Sequence, residues 1–250
     1  MDTIDYLLVF GAGAAAGFIN TIAGGGSLLT LPILIFMGLP PAVANGTNRL
    51  GILMQSIFAI SGFKSKGVSN FKYSIWLSVA ALIGAIIGAK IAVDIKGELF
   101  NKILAVVMAM VMLVTIFNPL KKASDQAERM ERKHQILALF LFFFVGIYGG
   151  FIQAGVGFII IAVLTLVNQF TLVKTNSIKV FVVFVYTIFA LGVFIWEGQV
   201  EWIAGITMAA GSALGGWVTS RWSVTKGEKY VRYFLVASVF ALSVKLWFFQ

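Results

Sequence analysis

The chain contains no cysteine, a single histidine and few charges in its 250 residues. Without cysteine, disulfide staples and thiolate metal sites are excluded, and the sequence carries no mark of redox compartment. The one histidine, His134, lies in a charged segment, and no Asp or Glu falls in the middle of any apolar run. A proton relay or sodium site built on a buried acid therefore has no obvious residue. Asp, Glu, Lys and Arg make up 12% of the chain, against 60% hydrophobic residues, with a mean hydropathy of +0.96. Such a composition does not suit a surface in water.

Long apolar runs take the place of charge. They are centred in 6–38, 45–63, 72–92, 99–117, 135–168, 176–196, 200–220 and 230–249. Each is long enough to cross about 30 Å of hydrocarbon. The expected fold is an all-α integral membrane protein whose solvent is the lipid bilayer, with no sizeable soluble domain. Asp2 and Asp5 flank the first run where a cleavable signal would carry bases, so that run is read as part of the mature protein. The net charge of +9 is spread over short loops at the ends of the runs instead of forming one dense patch. No nucleic-acid partner is expected, and placement on the cytoplasmic side accounts for the bases. The block from Lys121 to His134 interleaves Asp125, Glu128 and Glu131 with five bases and reads as a solvated linker. The chain is thus divided into a first transmembrane repeat (1–117), a cytoplasmic linker (118–134) and a second transmembrane repeat (135–250).

The two halves share an order of landmarks. Gly17-Phe18-Ile19-Asn20 leads into Ala23-Gly24-Gly25-Gly26, and Gly150-Phe151-Ile152-Gln153 leads into Ala154-Gly155-Val156-Gly157. Thr47-Asn48 and Thr175-Asn176 follow, each read as opening the next helix. Gly67 with Phe71 matches Gly198 with Trp202, and Phe100-Asn101-Lys102-Ile103 resembles Val231-Arg232-Tyr233-Phe234. Gly84/Gly88 matches Gly211/Gly215 and Gly13/Gly17 matches Gly146/Gly150, all at the small-xxx-small spacing that lets helix backbones approach in lipid. Two homologous units of about four hydrophobic segments result, or ten segments in all if the arms of the broken ones are counted separately.

The basic residues arbitrate the topology. If 6–38 and 135–168 each cross once, as helices merely kinked at glycine, the bases divide nine against ten and show no bias. If each goes in and returns as a hairpin, one side collects Lys64, Lys66, Lys72, Lys121, Lys122, Arg129, Arg132, Lys133, Lys174, Lys179, Arg221, Lys226, Lys229 and Arg232. The other side keeps Arg49, Lys90, Lys96, Lys102 and Lys245 with most of the acids. The positive-inside rule favours the hairpins, with both termini outside. Each half then makes three full crossings besides its hairpin, an odd number, so the second repeat is inverted relative to the first.

Irregular backbone at membrane depth survives only where protein or a water-filled cavity satisfies it, so the two glycine tips are expected to face each other in the interior. A paired break in two halves is the best sequence pointer to a transporter's binding site. Past Gly26 a helix restarts at Ser27, and past Gly157 another restarts near Phe158. Both are expected to offer free N–H groups and the positive end of a helix dipole, which suits an anion. The candidate substrate-binding residues are Asn20, Gly24, Gly25, Gly26 and Ser27 at the first tip, with Gln153, Gly155 and Gly157 at the second. Thr47, Asn48, Thr175 and Asn176 add hydroxyl and amide donors, and Arg49 and Lys179 add charge. Ser27 after a glycine invites comparison with an intramembrane serine protease, but no histidine lies in any membrane segment to activate it. No enzyme, cofactor or metal is expected.

The run Gly17-Phe18-Ile19-Asn20, the stretch Ala23-Gly24-Gly25-Gly26-Ser27-Leu28-Leu29-Thr30-Leu31-Pro32, Gly46-Thr47-Asn48 and the second-half Gly150 to Gly157 resemble the TauE/SafE family of sulfite exporters. The resemblance covers nearly the whole chain. It implies a permease of a bacterial or archaeal inner membrane for a small anion, sulfite, thiosulfate or an organosulfonate. The second half departs from the pattern, with Val163 where Pro32 stands and two glycines at its tip, so equal contacts from both halves are not implied. With no buried acid to couple a cation, export driven by the membrane potential is the expected direction. A passive anion channel and an importer of sulfur compounds are the alternatives.

Overall fold

The computed structural model describes residues 3–68, 71–117 and 127–224. Among them are nine α-helices: α1 (Thr3–Ile22), α2 (Ser27–Phe36), α3 (Pro41–Ser65), α4 (Phe71–Asp94), α5 (Gly97–Phe117), α6 (Arg132–Phe151), α7 (Val156–Leu166), α8 (Leu172–Trp196) and α9 (Trp202–Ser223). The described residues are otherwise turn or irregular, as the all-α reading requires. Seven of the eight apolar runs become helices. The eighth, 230–249, lies outside the described residues, as do Val231 to Phe234 and the linker positions 118–126. α1, α4, α6 and α8 are each long and apolar enough to span a bilayer.

The runs 6–38 and 135–168 are broken as expected, and the chain turns back at each break. Gly24 has φ +84° and Gly155 φ +72°, left-handed conformations that glycine adopts without a Cβ clash. Reversal at the first break seats Gly26 against α1, so that a Cβ there would lie 2.3 Å from the carbonyl oxygen of Ala16. Farther along, Leu34 of α2 shares an apolar cluster with Val9 near the start of α1. After the second break the chain returns to its point of entry. The Arg129 N–H, just before α6, donates to the Asn168 carbonyl beyond α7 at 2.8 Å. Beside it the exposed Glu131 carboxyl sits below its ordinary range, chiefly through the hydrogen bond from Lys133 and then through the charges of Lys133, His134 and Arg129.

The long helices pack across the halves, α4 along α6 and α9 along α1, while α3 and α8 lie together at the centre. Lipid offers helices no hydrophobic drive to associate, so close backbone approach must hold them. The eight small-xxx-small glycines supply it. A Cβ on Gly84 or Gly88 would lie 2.1 or 1.9 Å from the carbonyl oxygens of Phe143 or Ile147, and one on Gly146 or Gly150 would lie 2.0 or 2.1 Å from those of Ala81 or Ala85. α1 and α9 meet in the same way, Gly13 and Gly17 against Met208 and Ser212, Gly211 and Gly215 against Phe10 and Ala14. The opposite side of α4 exposes Ile75, Val79, Ile83, Ile87 and Ile91, a four-residue repeat that forms a lipid-facing stripe.

Contacts also define two ends. Gly97 lies beside Pro41, and the Glu201 N–H donates to the Thr47 hydroxyl at 2.8 Å. These join the starts of α3, α5 and α9 in one end layer with Asp5, Asp94, Glu98, Glu197 and Glu201, here called the acidic end. At the other, Val68, Val173 and Val224 pack on Ala59, Phe63 and Val180. Lys174 bonds Glu128 at 2.6 Å and Asn168 bonds the Tyr73 hydroxyl at 3.0 Å. This basic end carries Lys64, Lys66, Lys72, Arg129, Arg132, Lys133, Lys174 and Arg221.

Candidate functional site

The two glycine tips meet in the interior. The Gly157 N–H donates to the Gly24 carbonyl at 3.3 Å, and a Cβ on Gly24 would lie 2.2 Å from the Gly157 Cα. The tips are not equivalent, however. At the second, Val156, Gly157 and Phe158 donate to the carbonyls of Gln153, Gly24 and Gly155, so the start of α7 is closed. At the first, Leu28 donates to Gly25, and Leu29 and Thr30 donate to Gly26. α2 has no side-chain cap, and the N–H groups of Gly26 and Ser27 have no backbone acceptor among the described residues. An open helix start is electropositive and attracts anions.

Asn20 and Gln153, expected at matching positions, are placed differently. α1 continues through Ile22, so Asn20 is inside a helix, whereas α6 stops at Phe151 and Gln153 sits in the turn with φ +62°. The offset follows from spacing, since the left-handed glycine lies four residues after Asn20 but two after Gln153. The Gln153 side chain accepts from the Tyr186 hydroxyl at 3.0 Å, and Tyr186 belongs to an apolar core cluster. Asn20 instead donates from Nδ2 to Gln55 Oε1 at 2.8 Å, and Gln55 Nε2 donates to the Thr21 hydroxyl at 3.0 Å.

Thr47 and Asn48 do not open their helix. α3 begins at Pro41, which is tolerated where a helix has no use for the first N–H. They fall in its second turn, and Thr175 and Asn176 likewise follow the start of α8 at Leu172, which Thr171 caps. The Thr47 hydroxyl is engaged by the Glu201 N–H. Asn48 Oδ1 accepts from the Thr30 hydroxyl at 2.6 Å, while its Nδ2 is buried with no acceptor among the described residues. The Thr175 hydroxyl is likewise buried, with no partner among the described residues.

Both central bases are fully or almost fully buried, Arg49 at 0% and Lys179 at 2% exposure. Each reaches across to cap the first arm of the other half's hairpin. Arg49 donates from one terminal nitrogen to the Gly149 carbonyl at 3.2 Å and from the other to that of Gly150, and its guanidinium stacks 4.6 Å from the Phe194 ring centroid. Asn45 adds a bond to the Phe151 carbonyl at 2.7 Å. Lys179 donates to the Thr21 carbonyl at 3.0 Å and to Asn176 Oδ1 at 2.7 Å. The last carbonyls of α6 and α1 lack intrahelical partners and form the negative ends of their dipoles, which gives each buried cation a favourable site.

Two small cavities lie beside the first tip, each with room for about one water molecule. One is lined by Asn20, Gly26, Ser27, Thr30, Asn48 and Ser212, among others. The second is lined by Asn20, Gln55, Ser56, Gly157, Lys179 and neighbouring valines. Of the sequence candidates, Asn20, Gly26, Ser27, Asn48, Gly157 and Lys179 therefore come together at cavities. Gly24, Gly25 and Gly155 shape the turns, and Thr47, Arg49, Gln153, Thr175 and Asn176 line neither cavity. Gln55, Thr30 and Ser212 were not legible as site residues. Their one signal is a polar side chain set in an apolar stretch, as in Leu53-Met54-Gln55-Ser56-Ile57. Among the described residues no group of three or more His, Asp or Glu side chains is placed to hold a metal.

Comparison with known proteins fits this architecture. The family model described as sulfite exporter TauE/SafE matches residues 9–246. A probable membrane transporter protein of Haemophilus influenzae is 30% identical over 245 residues, covering 97% of this chain and 95% of its own. Another, from Sinorhizobium sp, is 32% identical over 239 residues, covering 95% and 90%. The probable membrane transporter protein YfcA of Escherichia coli is 31% identical over 243 residues, covering 96% and 88%. No solved structure matches. With both broken hairpins inside the matched span and apolar helices long enough to cross a bilayer, the chain belongs to the sulfite exporter TauE/SafE family and is a multi-pass membrane transporter.

Proposed function

We propose that this transporter binds a small oxyanion, namely sulfite, thiosulfate or an organosulfonate, at the first tip and exports it across a bacterial or archaeal inner membrane. The observation that carries the reading is the open start of α2, which adjoins a small cavity also lined by Asn48, whose amide donor has no acceptor among the described residues. Gly24, Gly25 and Gly26 bring backbone close to the solute, Asn20, Ser27 and Asn48 donate to it, and Lys179 and Gly157 meet it on the far side. Gln153, Gly155, Thr47, Arg49, Thr175 and Asn176 hold the frame around this path. Among the described residues no Asp or Glu is buried. A monoanion leaving a negative interior gains about 2.3 kcal/mol per 100 mV, so export requires no coupling ion.

Alternating access between two inverted repeats, 1–117 and 135–250 about the linker 118–134, is the accompanying mechanism. It is supported by the exchange of partners, in which α4 packs on α6 as α9 packs on α1, and by the reciprocal caps of Arg49 and Lys179. The basic end is assigned to the cytoplasm and both termini to the outside, following the distribution of Lys and Arg. The close contact of Gly24 with Gly157 favours a carrier over an open channel, since the path is closed at the tips.

The test is a screen of purified protein by thermal shift with sulfite, thiosulfate, sulfate and small sulfonates, followed by efflux from liposomes. A bound anion at a hundred times its Kd adds about 2.7 kcal/mol of stability, a readily measured shift. Stabilisation by none of these anions, or flux that never saturates, would overturn the reading. Tag accessibility at both termini checks the orientation.

A further inference from the structure

We infer that Gln55 partitions the path through this protein into two chambers and governs the passage of an anion from one to the other. The identity of the solute rests on the anion-transport reading above; the partition itself does not.

The two cavities share Asn20 and Gln55 and no other lining residue. They also lie in sequence along the helices. On α3, which runs from the acidic to the basic end, the first cavity takes Asn48, Gly51, Ile52 and Gln55, and the second takes Gln55 and Ser56. α8 runs the opposite way, and the second cavity meets it at Lys179, Val180 and Val183, beginning seven residues from its start at the basic end. One chamber therefore faces the acidic half and the other the basic half, with the Asn20–Gln55 amide pair as the wall between them.

The wall is held by a chain of hydrogen bonds. Asn20 donates to Gln55 at 2.8 Å, Gln55 donates to Thr21 at 3.0 Å, and Thr21 donates to the Gly17 carbonyl at 2.8 Å. Gly216 of α9 backs Gln55 closely, since a Cβ there would lie 3.0 Å from the Gln55 Cγ. In this arrangement Asn20 Nδ2 and Gln55 Nε2 both donate to neutral acceptors. An anion is a stronger acceptor than an amide or hydroxyl oxygen. On reaching the wall it can take the Asn20 and Gln55 N–H groups for itself, so the solute supplies the interaction that opens the partition. A cation or a solute without acceptors has no such exchange to offer. The acidic-side chamber is lined by neutral groups, and Lys179, bonded to the Thr21 carbonyl and to Asn176, lines the other, so its positive charge acts on an anion only beyond the wall.

The absence of cysteine allows a clean test. Val183→Cys places one thiol in the basic-side chamber, and a membrane-impermeant methanethiosulfonate bearing a sulfonate is applied from the acidic side of reconstituted protein. Gln55→Met, which keeps length but loses both strong hydrogen bonds, should speed labelling at position 183 by about tenfold, the weight of the lost amide bonds. Labelling of Ser27→Cys, in the near chamber, should not change. Equal labelling rates at position 183 with and without the Gln55→Met substitution overturn the partition. Gln55→Glu tests passage separately: it still accepts from Asn20 but presents a negative charge, and sulfite efflux should fall at least about tenfold. Efflux equal to that of the parent protein overturns the governing role of Gln55. A parent protein that moves neither sulfite nor thiosulfate defeats the anion reading while the labelling result still stands or falls by itself.

Discussion

Replacement of Gly157 by alanine puts one methyl group where two backbones touch. The added Cβ would lie 2.1 Å from the Gly24 Cα, whereas ordinary contact begins at 3.4 Å, so the tips must part by 3.4 − 2.1 = 1.3 Å. The Gly157–Gly24 hydrogen bond, already 3.3 Å, cannot survive that displacement. Because the nearest atoms are backbone, no side chain can swing aside to relieve the clash. Overpacking of this kind costs about 1–3 kcal/mol, and a cost near 2 kcal/mol lowers the population of the closed tip roughly thirtyfold. Gly192→Ala is the matched control, since nothing lies within 4 Å of a Cβ there and alanine favours a helix. Melting of the purified proteins and saturable anion efflux from liposomes are measured together. Gly157→Ala should insert into the membrane, melt lower and transport at least about tenfold more slowly, in line with that cost. Gly192→Ala should match the parent or melt slightly higher. Melting and transport of Gly157→Ala equal to those of Gly192→Ala would refute the tip contact.

Arg49→Leu strips the carbonyls of Gly149 and Gly150 of their donors, each worth about 1–3 kcal/mol when left buried and unpaired. Melting without anion should fall sharply, with Arg49→Lys intermediate because an ammonium cannot fork; unchanged melting with weakened anion affinity would show that Arg49 is a ligand instead. Gly88→Ala drives a Cβ to within 1.9 Å of the Ile147 carbonyl and should separate α4 from α6, seen as a lower yield of folded protein, whereas a normal yield would discount the glycine contacts. Asn48→Asp exchanges an unused donor for a carboxylate beside the open start of α2, and anion affinity should drop at least about tenfold by isothermal titration. Retained affinity would remove Asn48 from the site.

The sequence by itself determined the solvent, the helices of the seven described apolar runs and the two breaks. Those properties are local: a run of apolar residues selects lipid, and a cluster such as Ala23-Gly24-Gly25-Gly26 cannot continue a helix stably, whatever surrounds it. Glycine spacing likewise announced which faces approach closely, though not that Gly84 and Gly88 would meet Gly146 and Gly150 of the other half. Only the tertiary structure decided the use of each polar group, because a hydrogen bond depends on what lies opposite. Arg49 and Lys179 read as lures for a solute from their charge alone, yet each is turned onto the carbonyl end of a helix more than 100 residues away in sequence. Both tips read as donor-rich in sequence, but the Gly24 carbonyl occupies the second. Gln55, one of three amides on α3, acquired its place at the wall between two chambers only when α1, α3 and α8 were brought together.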